Sequence, residues 1–219
     1  MGFDPTNPAI AARVIEERCY SPQANFCPGG TSSANGPGKS RPLTLGPPGA
    51  NYHGTSVAAV IASQPGITLQ NQFAVGSSVT ENGGAPMVNL ILISAQFRWA
   101  TSTNPNEIDI EGAWEALDWV IAQYDAGRRD IKAVNLSFGS NISHPCASDS
   151  NYATYAQKFL ALKDRGIAVV AGSGNNSSAT IAIPACVPNA ISVAQSFNEP
   201  AFQTEVYSSS VGPKLTVVA

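Results

Sequence analysis

Charged side chains are scarce in this sequence: Asp, Glu, Lys and Arg make up 12% of its 219 residues. That scarcity excludes an intrinsically disordered chain, which combines high charge with few apolar residues. The 43% of hydrophobic residues supply the core of one α/β domain of ordinary size. Basic residues are few, the net charge is -3, and no basic stripe is present, which excludes nucleic acid as an expected partner. No apolar run approaches the roughly 18 residues of a membrane helix. The opening Met1-Gly2-Phe3-Asp4-Pro5 is neither basic nor an apolar run, so no secretory signal is expected there. Histidine is nearly absent, with only His53 and His144, which narrows the search for a general base.

Four cysteines are present: Cys19, Cys27, Cys146 and Cys186. None shows the Cys-x-x-Cys spacing of a zinc or thioredoxin-like site. They are either buried thiols or two disulfides of an exported protein. The scarcity of charge and the abundance of Gly, Pro, Ser and Asn favour the disulfides and a secreted location. Cys19 and Cys27 stand at the head of a Gly/Pro/Ser-rich stretch over 21–52, expected to be a surface loop, and could pin it. A bridge between Cys146 and Cys186 would close a loop of about 40 residues, worth about 4 kcal/mol in the chain-entropy model. The pairing itself stays open at this point.

The regular part begins at His53. Val57–Ala62 is a small-residue apolar run that fits a buried helix. Met87–Ala95 is short, continuous and branched, which predicts a buried strand. Glu107–Tyr124 carries apolar residues at Ile110, Ala113, Trp114, Leu117, Val120 and Ile121, the spacing of an amphipathic helix, with Gly127 as its stop. Further strands are predicted at Ile131–Phe138, Ile167–Ala171, Ala190–Ala194 and Leu215–Val218, and a helix at Tyr152–Arg165 stopped by Gly166. Strands alternate with helices and are apolar on both faces. The expected fold is α/β and three-layered, a mostly parallel sheet with helices on both faces. No internal repeat or second domain is visible.

Ligands of such sheets bind beyond the carboxyl ends of the strands. Three polar segments fall there: Asn135–Gly139, Gly172–Asn176 and the His53-Gly54-Thr55 helix entry. An imidazole at a helix N-terminus has its pKa lowered by the positive end of the dipole, so it stays neutral and can act as a base. Asn175, after a Gly-Ser-Gly turn, is either an ordinary turn asparagine or an amide donor aimed at an oxyanion. Gly172-x-Gly174-x-x-Ser177 faintly matches a dinucleotide fingerprint, but its third glycine is missing and Pro184 and Pro188 follow where a helix should begin.

Taken in order, these segments resemble the motifs of the subtilisin-like serine proteases. His53-Gly54-Thr55-Ser56-Val57-Ala58 is similar to His-Gly-Thr-His-Val-Ala. Ala133–Gly139 is similar to Val-Ile-Asn-Met-Ser-Leu-Gly, and Val169–Asn175 to Val-Val-Ala-Ala-Ala-Gly-Asn. Ile183–Val193 is similar to Tyr-Pro-Ala-x-x-Pro-x-Val-Ile-Ala-Val. The resemblance implies that His53 is the general base and Asn175 the oxyanion donor. It implies that Ser137, Phe138 and Gly139 pair with an extended polypeptide substrate. Ala171, Gly172 and Ser173 would line the pocket for the side chain before the scissile bond.

The departures carry equal weight. Met1–Pro5 aligns with Thr-Gly-x-Asp-Pro, so Asp4 matches a non-catalytic aspartate and the catalytic one would fall before Met1. Lys214–Ala219 resembles the segment that precedes the serine motif. Family members run in the order Asp, His, Ser, so this chain is expected to be a central fragment lacking both the Asp and the Ser, and inert by itself. Gly54-Thr55-Ser56 mimics a serine motif, but His53 precedes it and Val60 stands where proline is expected. Ser56 is therefore read as replacing the second histidine of the His motif. The implied function is a secreted serine endopeptidase, with no cofactor and room left for structural calcium. The alternative is a degenerate, non-catalytic peptide-binding module.

Overall fold

The computed structural model describes residues 2–22, 26–41, 53–64, 68–70, 78–80, 82–95, 111–140, 142, 144–195, 209–210 and 212–218. The chain falls into two compact units, Met1–Ala116 and Leu117–Ala219, each described by itself. The class is α/β with mostly parallel strands, as the alternation of apolar runs predicts.

In the first unit, β1 (Val14–Tyr20) lies between an antiparallel β2 (Ser33–Asn35) and a parallel β5 (Leu90–Ala95). Helix α1 (His53–Ala62) packs on β5. Its Ala58, Ala59 and Ala62 are buried because small side chains let the helix approach closely. Ala9, Ile10, Ala58, Ala59 and Leu92 form one apolar cluster, with Phe3, Val14 and Leu90 packed against it. Carbonyls of the last turn of α1 and of the residue after it are closed by backbone donors from a neighbouring loop: Gly84 N–H to Val60, Ala85 N–H to Ile61 and Gly83 N–H to Ser63, at 2.7–3.0 Å. A short antiparallel pair, β3 (Thr68–Gln70) and β4 (Ser78–Thr80), completes the described part of this unit.

The second unit holds four parallel strands in sequence order: β6 (Ala133–Leu136), β7 (Ala168–Gly172), β8 (Ala190–Ala194) and β9 (Val217–Val218). Helix α2 (Glu111–Asp125) leads into it, and α3 (Tyr152–Asp164) packs on β7 through buried Tyr155, Phe159 and Leu162. Both helices stop where glycine permits a left-handed residue. Gly127 takes φ +101° and Gly166 φ +70°. The next N–H returns to the last turn in each case, Arg128 to Gln123 and Ile167 to Leu162, at 3.0 Å. Asp118–Lys158 and Asp125–Arg165 tie α2 to α3, the second as a two-pronged pair at 2.7 and 2.8 Å.

Several expectations shift. The strand expected at Met87–Ala95 starts at Leu90, and Met87 is 77% exposed. Ile131–Phe138 shortens to Ala133–Leu136, and Leu215–Val218 to its last two residues. Helix α1 begins at His53 rather than Val57. Residues 107–110 of the expected second helix lie outside the described residues. Strand β1 was not expected, because Glu16, Glu17 and Arg18 interrupt its apolar pattern. In the described part of the 21–52 stretch, β2 pairs with β1 and Ser40 is fully buried, so it is more than a surface loop. Both disulfides are present, Cys19–Cys27 and Cys146–Cys186, with Cα atoms 5.7 and 6.1 Å apart.

Candidate active site

His53 opens α1, so its ring stands at the positive end of a helix of ten residues. The residue is solvent-accessible, yet surrounding protein removes part of the ring's hydration. That desolvation holds the imidazole pKa below its ordinary value and favours the neutral, proton-accepting form. The N-terminal segment crosses this helix start. A Cβ on Gly54 would meet the Phe3 ring at 2.7 Å and the Gly2 carbonyl at 2.8 Å, so only glycine fits beside His53. Asp4 N–H donates to Thr55 Oγ1 at 2.7 Å, and Thr55 is buried. The Asp4 carboxylate accepts from the Thr6 N–H and hydroxyl at 3.0 and 2.6 Å, which caps the turn at Pro5. Ser56 lies exposed one helical turn beyond His53.

In the second unit, β6 and β7 are paired in parallel with Leu136 opposite Ala171. Their carboxyl ends therefore bring Ser137-Phe138-Gly139 beside Ala171-Gly172-Ser173. Gly139 is exposed, and a Cβ there would press on the Ile183 carbonyl at 3.1 Å. Just beyond it, Ser140 and Ile183 exchange backbone hydrogen bonds at 2.9 and 3.1 Å. A Cβ on Gly172 would meet nothing within 4 Å among the described residues. Asn175 follows on an exposed bend, reached through Gly174 at φ +107°, where an L side chain is strained.

A serine lock holds this turn. Ser173 Oγ lies 3.3 Å from Ser209 Oγ, Ser209 Oγ accepts from Gln195 N–H at 3.1 Å, and Ser210 N–H donates to the Gly174 carbonyl at 2.8 Å. The run Ser208-Ser209-Ser210 carried no signal of this role, since its partners are 14 and 36 residues away. No helix lies between β7 and β8, which removes the dinucleotide reading. Among the described residues no cluster of three His, Cys, Asp or Glu could hold a metal ion, and no helix is long and apolar enough to cross a membrane.

A family model described as the subtilase family matches residues 2–219. This chain belongs to the subtilase family. Subtilisin BL of Lederbergia lenta is 30% identical over 173 residues, covering 78% of this chain and 46% of the relative. An alkaline protease of Alkalihalobacillus alcalophilus is 29% identical over 170 residues, covering 78% of this chain and 33% of the relative. This subtilase chain thus spans half or less of the length of those relatives. Among solved structures, a protease of Pseudoalteromonas arctica superposes with a TM-score of 0.66 at 15% identity, covering all of this chain and 60% of the other. Sphericase superposes with a TM-score of 0.55 at 18% identity, covering 91% and 53%. Those two likenesses bear on the fold.

Proposed function

We propose that this subtilase chain is the central part of a serine endopeptidase that hydrolyses peptide bonds in extended polypeptides. The observation that carries the reading is the family match along residues 2–219, within which the motif residues keep the family order. His53 takes the proton of a serine nucleophile, and its lowered pKa keeps it neutral for that step. Asn175 donates to the oxyanion of the tetrahedral intermediate; loss of such a donor costs roughly 10²–10³ in turnover, a figure taken from a subtilisin asparagine. Ser137–Gly139 pairs with the substrate backbone, and Ala171–Ser173 lines the side-chain pocket. Two disulfides support a secreted location.

The 219-residue chain holds neither an Asp-Thr-Gly motif before its histidine motif nor a Gly-Thr-Ser-Met motif after β9. By itself it forms no acyl-enzyme. A serine-directed fluorophosphonate probe tests both parts. The purified chain should remain unlabelled, and a product of the same gene that includes both motifs should label on its serine and lose labelling in His53→Ala. Stoichiometric labelling of the short chain at Ser56, abolished by His53→Ala, would overturn the assignment of the nucleophile. Flanking DNA without either motif would favour the degenerate peptide-binding module instead.

A further inference from the structure

Strand β1 breaks a local rule. Its buried positions are Glu17 and Cys19, so a carboxylate stands in the inward phase where an apolar side chain is expected. A buried carboxylate is costly unless its oxygens are filled by donors. Here one five-residue turn supplies them. Glu17 Oε1 accepts from Gly38 N–H at 3.0 Å; Oε2 accepts from Ser40 N–H at 3.3 Å and from Ser40 Oγ at 2.7 Å. The Glu17 carbonyl also accepts from Gly36 N–H at 3.1 Å. Gly36 and Gly38 take φ +101° and +77°, which lets the turn fold its N–H groups onto one carboxylate.

The chain of contacts continues past this turn. The carbonyl of fully buried Ser40 accepts from Phe3 N–H at 2.9 Å. Phe3 closes the face of Gly54, and Asp4 N–H is held by Thr55. Three links therefore run from a carboxylate on β1 to the two residues that follow His53. We propose that Glu17 is a positioning residue: its carboxylate fixes Ser40, and through Ser40 it seats the Gly2–Asp4 segment against the start of the His53 helix. The consequence for catalysis rests on the protease reading above; the seating itself does not. Other charged groups nearby are Asp4, with Arg41 at 3.6 Å, and the Glu16–Arg18 pair on the opposite phase of β1. The Ser40 hydroxyl bonds to Glu17, so its removal leaves the Asp4–Arg41 and Glu16–Arg18 pairs in place.

The test uses the two histidines as probe and control. Proton NMR titration of the 219-residue chain resolves His53 and His144 in the wild type, Glu17→Gln and Ser40→Ala. Glutamine keeps the shape of Glu17 but presents an amide donor to one of the turn's own donors. Unseating Gly2–Asp4 rehydrates the ring, so the His53 pKa should rise toward about 6.5. His144, which lies in the other unit of the chain, serves as the internal reference for a change of the whole fold. Ser40→Ala deletes one bond and should shift His53 in the same direction by less. If Glu17→Gln does not fold, Ser40→Ala decides alone. Folded variants that lose stability while His53 titrates as in the wild type would overturn the proposal and leave Glu17 a turn anchor. In a longer, active form, Glu17→Gln should lower kcat with KM retained. An inactive longer form would sink the protease reading and leave the titration result standing.

Discussion

At the scale of single residues, the environment of His53 has a thermodynamic consequence. Its folded pKa lies below the unfolded value of about 6.5. Between those two values the unfolded state binds more proton, so stability rises with pH across that window and levels off above it. Denaturant midpoints should therefore fall as pH is lowered from 6.5 (roughly the unfolded value) toward the folded pKa. His53→Gln should remove that part of the slope; an unchanged slope would mean the ring is hydrated as in the unfolded chain. Gly54 tests the other side of the same contact. Gly54→Ala drives a Cβ to within 2.7–2.8 Å of the Phe3 ring and the Gly2 carbonyl, and the carbonyl is backbone. The expected loss is about 1–3 kcal/mol by urea denaturation. Gly174→Ala forces an L residue to φ +107° next to Asn175 and should cost about 1–3 kcal/mol.

At the scale of elements, α3 carries the packing of the second unit's sheet. Phe159 is fully buried, with its ring 5.4 Å from that of Tyr155. Phe159→Ala should cost about 3–5 kcal/mol, measured by thermal or urea unfolding. The ion pairs that join α2 to α3 lie at the surface, where long side chains lose entropy on pairing and solvent screens them. Even so, the Arg165 guanidinium holds the Asp125 carboxyl below its usual range, so that pair stabilises at neutral pH and is lost as pH falls through the folded pKa. Elements with local causes were legible in the sequence. The core of β5, β7 and β8 follows from continuous branched runs, and the ends of α2 and α3 from Gly127 and Gly166. Strand β1 was hidden because Glu17 is compensated by Gly38 and Ser40, more than 20 residues on.

At the scale of the whole chain, each unit holds one disulfide. Cys146–Cys186 spans 40 residues and Cys19–Cys27 spans 8. In the loop-entropy model the first is worth about 4 kcal/mol and the second about 2.5. The paired Cys→Ser variant of Cys146 and Cys186 should lose more denaturant midpoint than that of Cys19 and Cys27; the reverse order would show that local packing outweighs loop closure. The longer bridge encloses α3, β7 and the Asn175 bend, so its loss should also expose the Gly172–Asn176 turn to proteolysis first.

The sequence by itself determined the α/β class, the strand ends at Asn135–Gly139 and Gly172–Asn176, and the ordered motifs around His53 and Asn175. Those features rest on periodicity, turn chemistry and short spacing, which neighbouring residues settle among themselves. Tertiary structure decided which cysteines meet, that Ser173 is locked by Ser209, that Phe3 makes glycine obligatory at position 54, and that Glu17 is buried yet satisfied. Each of these depends on a partner 8 to 51 residues away. No local pattern names such a partner. It is fixed only when burial forces every donor and acceptor to find one.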